Sequence, residues 1–257
     1  AGTCLFIAVA LQQLGILFTT AGNAGFITGL YVIFTPIFGI FLGKKTGRPT
    51  WIGAVCTLTG MYFLSAAGQG GRMNPGDFIT AVSAVFWAFH VLLIDRLVTH
   101  TDPLLLSSGQ FAWCGLYSLI AAFLIEPFLA GWVSALDPDM LSLGLFAWEP
   151  LPAILAGWGK PAPGASQIAN SLIPILYGGF ASVGIAYTLQ VVAQQEAPPA
   201  HATIILCLEG SFAAIGGVLL LAEPLSSRTI LAFALMFSGM FITQWEVIFQ
   251  GKAKSSG

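Results

Sequence analysis

Charge is the property that this sequence has least of. Only 8% of its 257 residues are Lys, Arg, Asp or Glu, whereas soluble domains carry about 25%. A chain of this length with so few charges cannot cover a soluble surface, which argues against a large soluble domain. The net charge of −2 also gives no basic surface, so nothing points to nucleic acid as a partner.

Motifs for several common chemistries are also absent. The sequence contains no Walker phosphate-binding loop, no His-Glu-x-x-His zinc motif and no Gly-x-Ser-x-Gly nucleophile turn. Its four cysteines lie inside apolar runs rather than at paired loop positions, so they predict neither a disulfide framework nor a metal site. We therefore expect no cofactor, no metal and no ATP-driven step. The lack of paired catalytic groups argues against an enzyme.

Long apolar stretches are what the sequence has instead. The chain is 56% hydrophobic, and a bilayer core about 30 Å thick requires roughly 20 apolar residues per helix. Turns rich in proline and glycine separate eight such stretches, which predicts an all-α, polytopic membrane helix bundle. The predicted helices cover residues 2–19, 23–43, 50–67, 77–99, 103–126, 170–194, 200–222 and 228–248. Residues 127–169 form a long loop without an uninterrupted run long enough to span.

An internal repeat relates the first three predicted helices to the last three. At an offset of 178 residues, Leu11-Gln12 matches Leu189-Gln190, and Asn23-Ala24 matches His201-Ala202. After a one-residue slip, Thr59-Gly60-Met61 matches Ser238-Gly239-Met240. Five helices separate corresponding members, and five is odd, so the two copies are expected to have opposite orientations. Inverted-topology repeats of this kind are typical of secondary transporters.

The repeat also predicts the domain organisation. Residues 1–67 would hold the last three helices of repeat one, and residues 77–248 would hold all five helices of repeat two. Two further helices are then expected before Ala1, giving ten in the full pattern. Two glycine pairs, Gly25 with Gly29 and Gly39 with Gly43, each have a spacing of four residues, which favours close helix packing.

Basic residues predict the orientation in the membrane. Six Lys and Arg residues fall on the side that holds the second loop, the fourth loop and the C-terminus, against three on the other side. The positive-inside rule therefore places the C-terminus in the cytoplasm and the 127–169 loop outside. We expect an integral protein of a bacterial inner membrane.

Several segments resemble the EamA family of the drug/metabolite transporter superfamily. The stretch Thr20–Leu30 resembles the opening of that family's fourth helix, Leu206–Glu209 with Leu219–Glu223 resembles its ninth, and Ala84–His90 resembles the start of its second repeat. The first two helices of the family pattern are absent, and Gly210 stands where many relatives have proline. The resemblance implies a transporter with inverted repeats, but these motifs do not name a substrate.

Glu209 is the sharpest candidate for a site residue. It lies about nine residues into the seventh predicted helix, near the middle of the membrane, where a carboxylate is costly unless it faces a cavity. Two interpretations stand: a site for a proton or a substrate amine, and a hydrogen-bonded structural carboxyl. Tyr31 is the repeat counterpart of Glu209 and is expected near the same cavity, where it either contributes its hydroxyl or packs.

The other candidates are polar or aromatic residues within predicted helices. His90 and Trp87 lie three residues apart on one face, where His90 could share a proton with Glu209 or simply be satisfied by a neighbouring helix. Gln12 and Gln190 are repeat counterparts whose amides either join helices or line the cavity.

Taken together, these observations predict a secondary transporter that works by alternating access, with proton coupling through Glu209. The expected partners are the lipid bilayer and a small-molecule substrate, such as a small metabolite, an amino-acid-like compound or a drug, with export the expected direction. No Lys or Arg lies deep in a predicted helix, which argues against strongly anionic substrates. A homodimer is left open. The alternatives are a membrane scaffold or assembly subunit and, as a third class, an intramembrane enzyme that handles lipid.

Overall fold

Every element in the described part of the chain is helical. The computed structural model describes residues 1–19, 21–63, 75–125, 172, 175–209, 211–212, 215 and 226–254. The helices are α1 (Gly2–Ile16), α2 (Ala21–Thr28), α3 (Tyr31–Phe41), α4 (Arg48–Met61), α5 (Pro75–Val98), α6 (Pro103–Ile120), α7 (Thr188–Ala193), α8 (Pro199–Leu206) and α9 (Ser227–Lys254). A π-helical turn, Ala121–Ile125, continues α6, and a π-helical stretch, Tyr177–Tyr187, precedes α7.

Each of the eight predicted ranges contains helix, so the all-α fold class is confirmed. The second predicted range, 23–43, holds two helices, α2 and α3, because the helix is interrupted at its centre. Three described stretches are long and apolar enough to cross a membrane, and they are Ala24–Phe41, Gly76–Val98 and Pro103–Phe123. The predicted loop at 127–169 and most of the seventh predicted helix beyond residue 209 lie outside the described residues.

The chain divides into two compact units. The first comprises Ala1–Phe6 with Leu97–Gln195, and the second comprises Ile7–Arg96 with Glu196–Gly257. In the first unit, α6 exposes large apolar side chains such as Leu105, Trp113 and Leu119, which is the surface that a lipid-facing helix presents. The boundaries of these units do not follow the two predicted repeats, which remain a prediction.

Helix ends follow the local sequence. Asp102 caps α6, because its carboxylate accepts hydrogen bonds from the backbone N–H groups of Leu104 (2.9 Å) and Leu105 (3.1 Å), and Pro103 begins the helix. Gly43 follows α3 with a φ of 78°, a conformation that glycine adopts without a steric penalty. Asp102, Pro103 and Gly43 thus determine where these helices begin and end.

The four glycines at positions 25, 29, 39 and 43 do not share one packing role. A Cβ at Gly29 would lie 2.2 Å from the Met61 side chain, so Gly29 does permit close approach. Among the described residues, a Cβ at Gly25 or Gly43 would meet nothing within 4 Å, and one at Gly39 would make only ordinary contacts. The predicted close packing is therefore wrong for Gly25 and Gly43, since a spacing of four residues does not determine what lies opposite.

Helices α4 and α9 pack closely against each other in the second unit. A Cβ at Gly53 would lie 2.6 Å from the carbonyl oxygen of Gly239, and one at Gly60 would lie 2.7 Å from that of Ala232. Residues later in α4 contact residues earlier in α9, so the two helices are antiparallel. The repeat alignment pairs Gly53 with Ala232 and Gly60 with Gly239. Exchanging the two copies therefore turns the Gly53–Gly239 contact into the Gly60–Ala232 contact. Two copies related by a twofold axis make contacts of this kind.

Side-chain contacts connect the ends of helices within the second unit. At one end, Lys44 forms an ion pair with Asp95, and the Thr50 hydroxyl lies 3.2 Å from Nε2 of His201. These contacts join the chain around α4's start to the end of α5 and the start of α8. At the end of α1, the Thr19 hydroxyl donates a 2.5 Å hydrogen bond to Asp77 near the start of α5. The chain before α4, the later part of α5 and the start of α8 thus meet at one end of the unit.

Candidate functional site

The helix of the first repeat copy is interrupted in the middle of a span. Between α2 and α3, the N–H groups of Leu30 and Val32 bond to carbonyls three residues back rather than four, at 3.1 and 3.0 Å. The i→i+3 pattern tightens the turn at Gly29 and Leu30. Glycine has a low helix propensity and leaves space that the Met61 side chain occupies. An apolar sequence that reads as one helix therefore contains a tightened turn, at which Leu30 keeps right-handed helical angles and the chain continues as a single candidate span.

The second copy is interrupted at the corresponding place. Helix α8 ends at Leu206, Cys207 forms a turn whose backbone keeps right-handed helical angles (φ −63°, ψ −15°), and Leu208 and Glu209 are again α-helical. The offset of 178 residues, defined from the sequence alone, pairs Gly29 with Cys207 and Tyr31 with Glu209. The two breaks therefore occupy equivalent positions.

The two interruptions lie against each other in the second unit. The Tyr31 side chain is hydrogen-bonded to that of Cys207, and Glu209 is close enough to Cys207 to interact with it electrostatically. Buried apolar residues, including Val32, Ile204, Leu208 and Met236, surround this contact, and Tyr31 packs against them. The Glu209 side chain is exposed on the surface of the unit, whereas Cys207 is buried.

A second polar cluster joins α1, α2 and α5. The Trp87 indole N–H donates to the side-chain oxygen of Gln12 at 3.3 Å, and the Gln12 amide donates to the Thr28 hydroxyl at 3.2 Å. The Gln12 amide on α1 is thus hydrogen-bonded to both α2 and α5, as polar groups between membrane helices often are. Thr28 ends α2 immediately before the first interruption.

His90 extends this cluster along α5. Its ring meets the Trp87 ring edge to face, with centroids 5.8 Å apart, and the residue is fully buried at 0% exposure. Ser83 lies one turn before Trp87 on α5, and its hydroxyl donates to the carbonyl of Ala8 at 2.8 Å. The structure thus brings together Gln12, Trp87 and His90 within the second unit.

Gln190 lies in the other unit. It is half-buried, and its amide donates to the side-chain oxygen of Gln194 at 3.3 Å, one helical turn further along the chain. Gln12 and Gln190, although counterparts in the repeat, therefore make different contacts: one joins helices, and the other bonds within its own.

Sequence reasoning missed two participants, Cys207 and Thr28. Cys207 was interpreted only as a small helix residue, yet the alignment that paired Tyr31 with Glu209 also pairs Gly29 with Cys207 and signals that position. Thr28 carried no signal, since a single hydroxyl at a helix end is common. Among the described residues, no group of three or more His, Cys, Asp or Glu side chains is placed to hold a metal ion.

Comparison with known proteins places this arrangement in context. Residues 74–245 match the EamA-like transporter family. An uncharacterized transporter from Archaeoglobus fulgidus is 27% identical over 228 residues, which cover 88% of this chain but only 61% of that relative. The chain thus spans about three fifths of the relative's length.

A protein of known crystal structure shares the fold. It superposes with a TM-score of 0.69 at 16% sequence identity, over 93% of this chain and 74% of that one. The family match extends over about two thirds of the chain, from just before α5 into α9. This protein belongs to the EamA-like transporter family.

Proposed function

We propose that the protein is a secondary transporter whose substrate site lies at the paired helix interruptions. The observation that carries the proposal is the contact between Tyr31, just after the break in one copy, and Cys207, at the break in the other. Many secondary transporters bind substrate and coupling ion where discontinuous helices from two inverted repeats meet. The exchange of contacts between α4 and α9 supports an inverted relation of the two copies.

Glu209 is the proposed proton-binding group. Its side chain is exposed on the surface of its unit, about nine residues into a predicted span. A carboxylate facing lipid at that depth is unfavourable, so an exposed Glu209 is better accommodated facing a water-filled space. Because Tyr31 occupies the equivalent position in the other copy, only one copy offers a carboxylate. A single proton site per chain follows from this asymmetry.

The Gln12 cluster is proposed to shape the site next to the first interruption. Through Thr28, Gln12 is connected to the last residue of α2, and Trp87 and His90 fix the facing part of α5. The buried position of His90 suits a residue that positions its neighbours or relays a proton. Gln190 is proposed as a polar residue for substrate contact within its own unit, where it is bonded to Gln194.

The proposed substrates are small metabolites, amino-acid-like compounds or amphipathic drugs, moved outward in exchange for protons. An amine would complement Glu209, and aromatic side chains suit organic groups. No Lys or Arg lies deep in a predicted helix to neutralise a phosphate, so strongly anionic substrates fit poorly. The distribution of basic residues supports a bacterial inner membrane with a cytoplasmic C-terminus.

Proteoliposomes with an imposed pH gradient test the proposal. The full-length protein would be reconstituted, and substrate-dependent proton movement followed with a pH-sensitive dye over a panel of amines, amino acids and cationic drugs. We expect Glu209→Gln to abolish that movement. The matched control is Glu196→Gln, which alters an exposed carboxylate in a loop of the same unit.

The outcomes separate the competing interpretations. Retained proton movement in Glu209→Gln would remove Glu209 from the mechanism and leave it a structural carboxyl. Equal loss in both variants would point to a nonspecific defect. No movement by the wild-type protein across the whole panel would favour a membrane scaffold over this transporter.

A further inference from the structure

An apolar groove lies beside the α4–α9 pair of the second unit. It has a volume of about 500 Å³ and is lined by Pro49 and Ile52 of α4 and by Ser238, Phe241 and Ile242 of α9. Ile52 and Phe241 remain 54% and 58% exposed. A single hydroxyl, that of Ser238, is the polar side-chain group among the lining residues. The groove suits a hydrocarbon chain and offers little to a polar ligand.

Exposed cations stand at the α4 end of this groove. Arg48 directly precedes Pro49 and lies four residues before Ile52, so it projects from the same helix face as the groove. Arg48 and Lys45 are both exposed, and the described residues place no carboxylate in an ion pair with either. Lys44, by contrast, is paired with Asp95. An exposed cation, Arg48, thus adjoins the apolar groove on α4, and a second, Lys45, precedes it by three residues in the chain.

We propose that this groove binds an anionic phospholipid. One acyl chain would lie along Ile52 and Phe241, and the phosphate would meet Arg48 and Lys45. Basic residues next to a membrane span attract anionic headgroups by about 1 kcal/mol each, which corresponds to about fivefold in affinity. The groove lies outside the proposed substrate site, so the lipid is a structural partner rather than the transported molecule.

A second copy of the chain fits the same surface less well. A symmetric contact through this groove would set its lining against the same lining of a second copy, and the described lining residues include no carboxylate to meet Arg48 and Lys45. A lipid phosphate meets those charges with the opposite sign. Charge complementarity therefore selects the lipid over the dimer.

Lipid retention on the purified full-length protein tests the proposal. The protein would be incubated with phosphatidylglycerol or phosphatidylcholine of identical acyl chains, and bound lipid measured by native mass spectrometry. We expect preferential retention of phosphatidylglycerol, reduced about fivefold by Arg48→Gln. Arg228→Gln, which removes an exposed cation at the start of α9 away from the groove, is expected to leave it unchanged.

Filling the groove supplies the second arm. Ile52→Trp should lower retention of both lipids, whereas Val55→Trp, at an equally exposed residue of α4 that does not line the groove, should not. Ser238→Phe fills the groove from α9 and replaces Ile52→Trp if that variant does not fold.

Four results would overturn the proposal. They are equal retention of both lipids by the wild type, equal effects of Arg48→Gln and Arg228→Gln, full retention in both groove-filling variants, and displacement of the lipid by glycerol phosphate alone. A change from dimer to monomer in Ile52→Trp, without a change in lipid binding, would assign the groove to a second copy instead.

Discussion

Two helix pairs in the second unit contrast sharply. The pair of α4 and α9 is continuous, antiparallel and packed through Gly53, Gly60 and Gly239, whose backbones leave no room for a side chain. The pair of α3 and α8 begins or ends at an interruption and meets through the polar Tyr31–Cys207 contact. The first pair joins the two predicted repeat copies through small residues, and the second carries the polar side chains where chemistry is proposed.

The two pairs also differ in symmetry. Exchange of the repeat copies converts each glycine contact of α4 and α9 into another contact of the same kind. At the interruptions the same exchange replaces Tyr31 by Glu209. Close packing tolerates only small residues, so both copies keep them, whereas an open polar position can differ between copies. Four predictions test this contrast, beginning with the largest expected effect on stability.

Gly60→Val should weaken the continuous pair severely. The new Cβ would lie 2.6 Å from Met236 and 2.7 Å from the Ala232 carbonyl oxygen, so backbone would have to move. We expect a loss of about 3 kcal/mol or more in the free energy of unfolding. Thermal unfolding in detergent would measure it, with Gly25→Val as the matched control because its Cβ meets nothing within 4 Å. Equal effects of the two variants would contradict this packing.

Gln12→Leu should have a smaller effect. The change removes the acceptor for the Trp87 N–H and the donor to Thr28, and hydrogen bonds between membrane helices average about 0.6 kcal/mol, up to about 1.7. We expect a loss of about 1 kcal/mol in the free energy of unfolding in detergent. Gln13→Leu alters the exposed neighbouring amide, and a loss as large in that control would count against the cluster.

Tyr31→Phe should separate stability from activity. It removes one hydrogen bond to Cys207 but retains the ring, so the free energy of unfolding should fall by about 0.6 kcal/mol. If the interruptions form the substrate site, transport in proteoliposomes should fall much more than stability does. Tyr62→Phe changes an exposed tyrosine after α4 as the control. Unchanged transport in Tyr31→Phe would move the site elsewhere.

Lys44→Gln should have the smallest effect. The ion pair with Asp95 is partly exposed, since the lysine side chain is 40% accessible, and solvent screens such pairs to between about 0 and 1 kcal/mol. A double-mutant cycle with Asp95→Asn, at low and high salt, measures the coupling. A coupling that is large and independent of salt would show that this end of the unit is more enclosed than its exposure indicates.

Apolar content predicted the helices well but not their continuity. All eight ranges contain helix, because burial of backbone groups in lipid leaves few other structures. Hydropathy does not predict the tightened turn at Gly29, because apolar side chains continue through it. Hydropathy carries no information on whether a backbone N–H bonds to the carbonyl three or four residues back. The repeat alignment contained the missing information, since it pairs Gly29 with Cys207.

The candidate site was predicted unevenly for a related reason. Trp87 and His90 could be placed on one face of a helix from their spacing, and the structure brings their rings together. Their link to Gln12 depends on how α1 packs against α5, which no local pattern specifies. Whether Glu209 binds a proton remains a prediction, because exposure on one unit does not by itself identify what it faces.

The packing of α4 against α9 has a consequence for how such a chain could arise. Because the contact is self-complementary, it requires no covalent connection between its two halves. A half-length chain with the same glycines could pair with a copy of itself inserted the opposite way up. Joining two such chains fixes their ratio at one to one and frees each half to diverge, which is the condition under which one copy can keep a tyrosine while the other acquires a carboxylate.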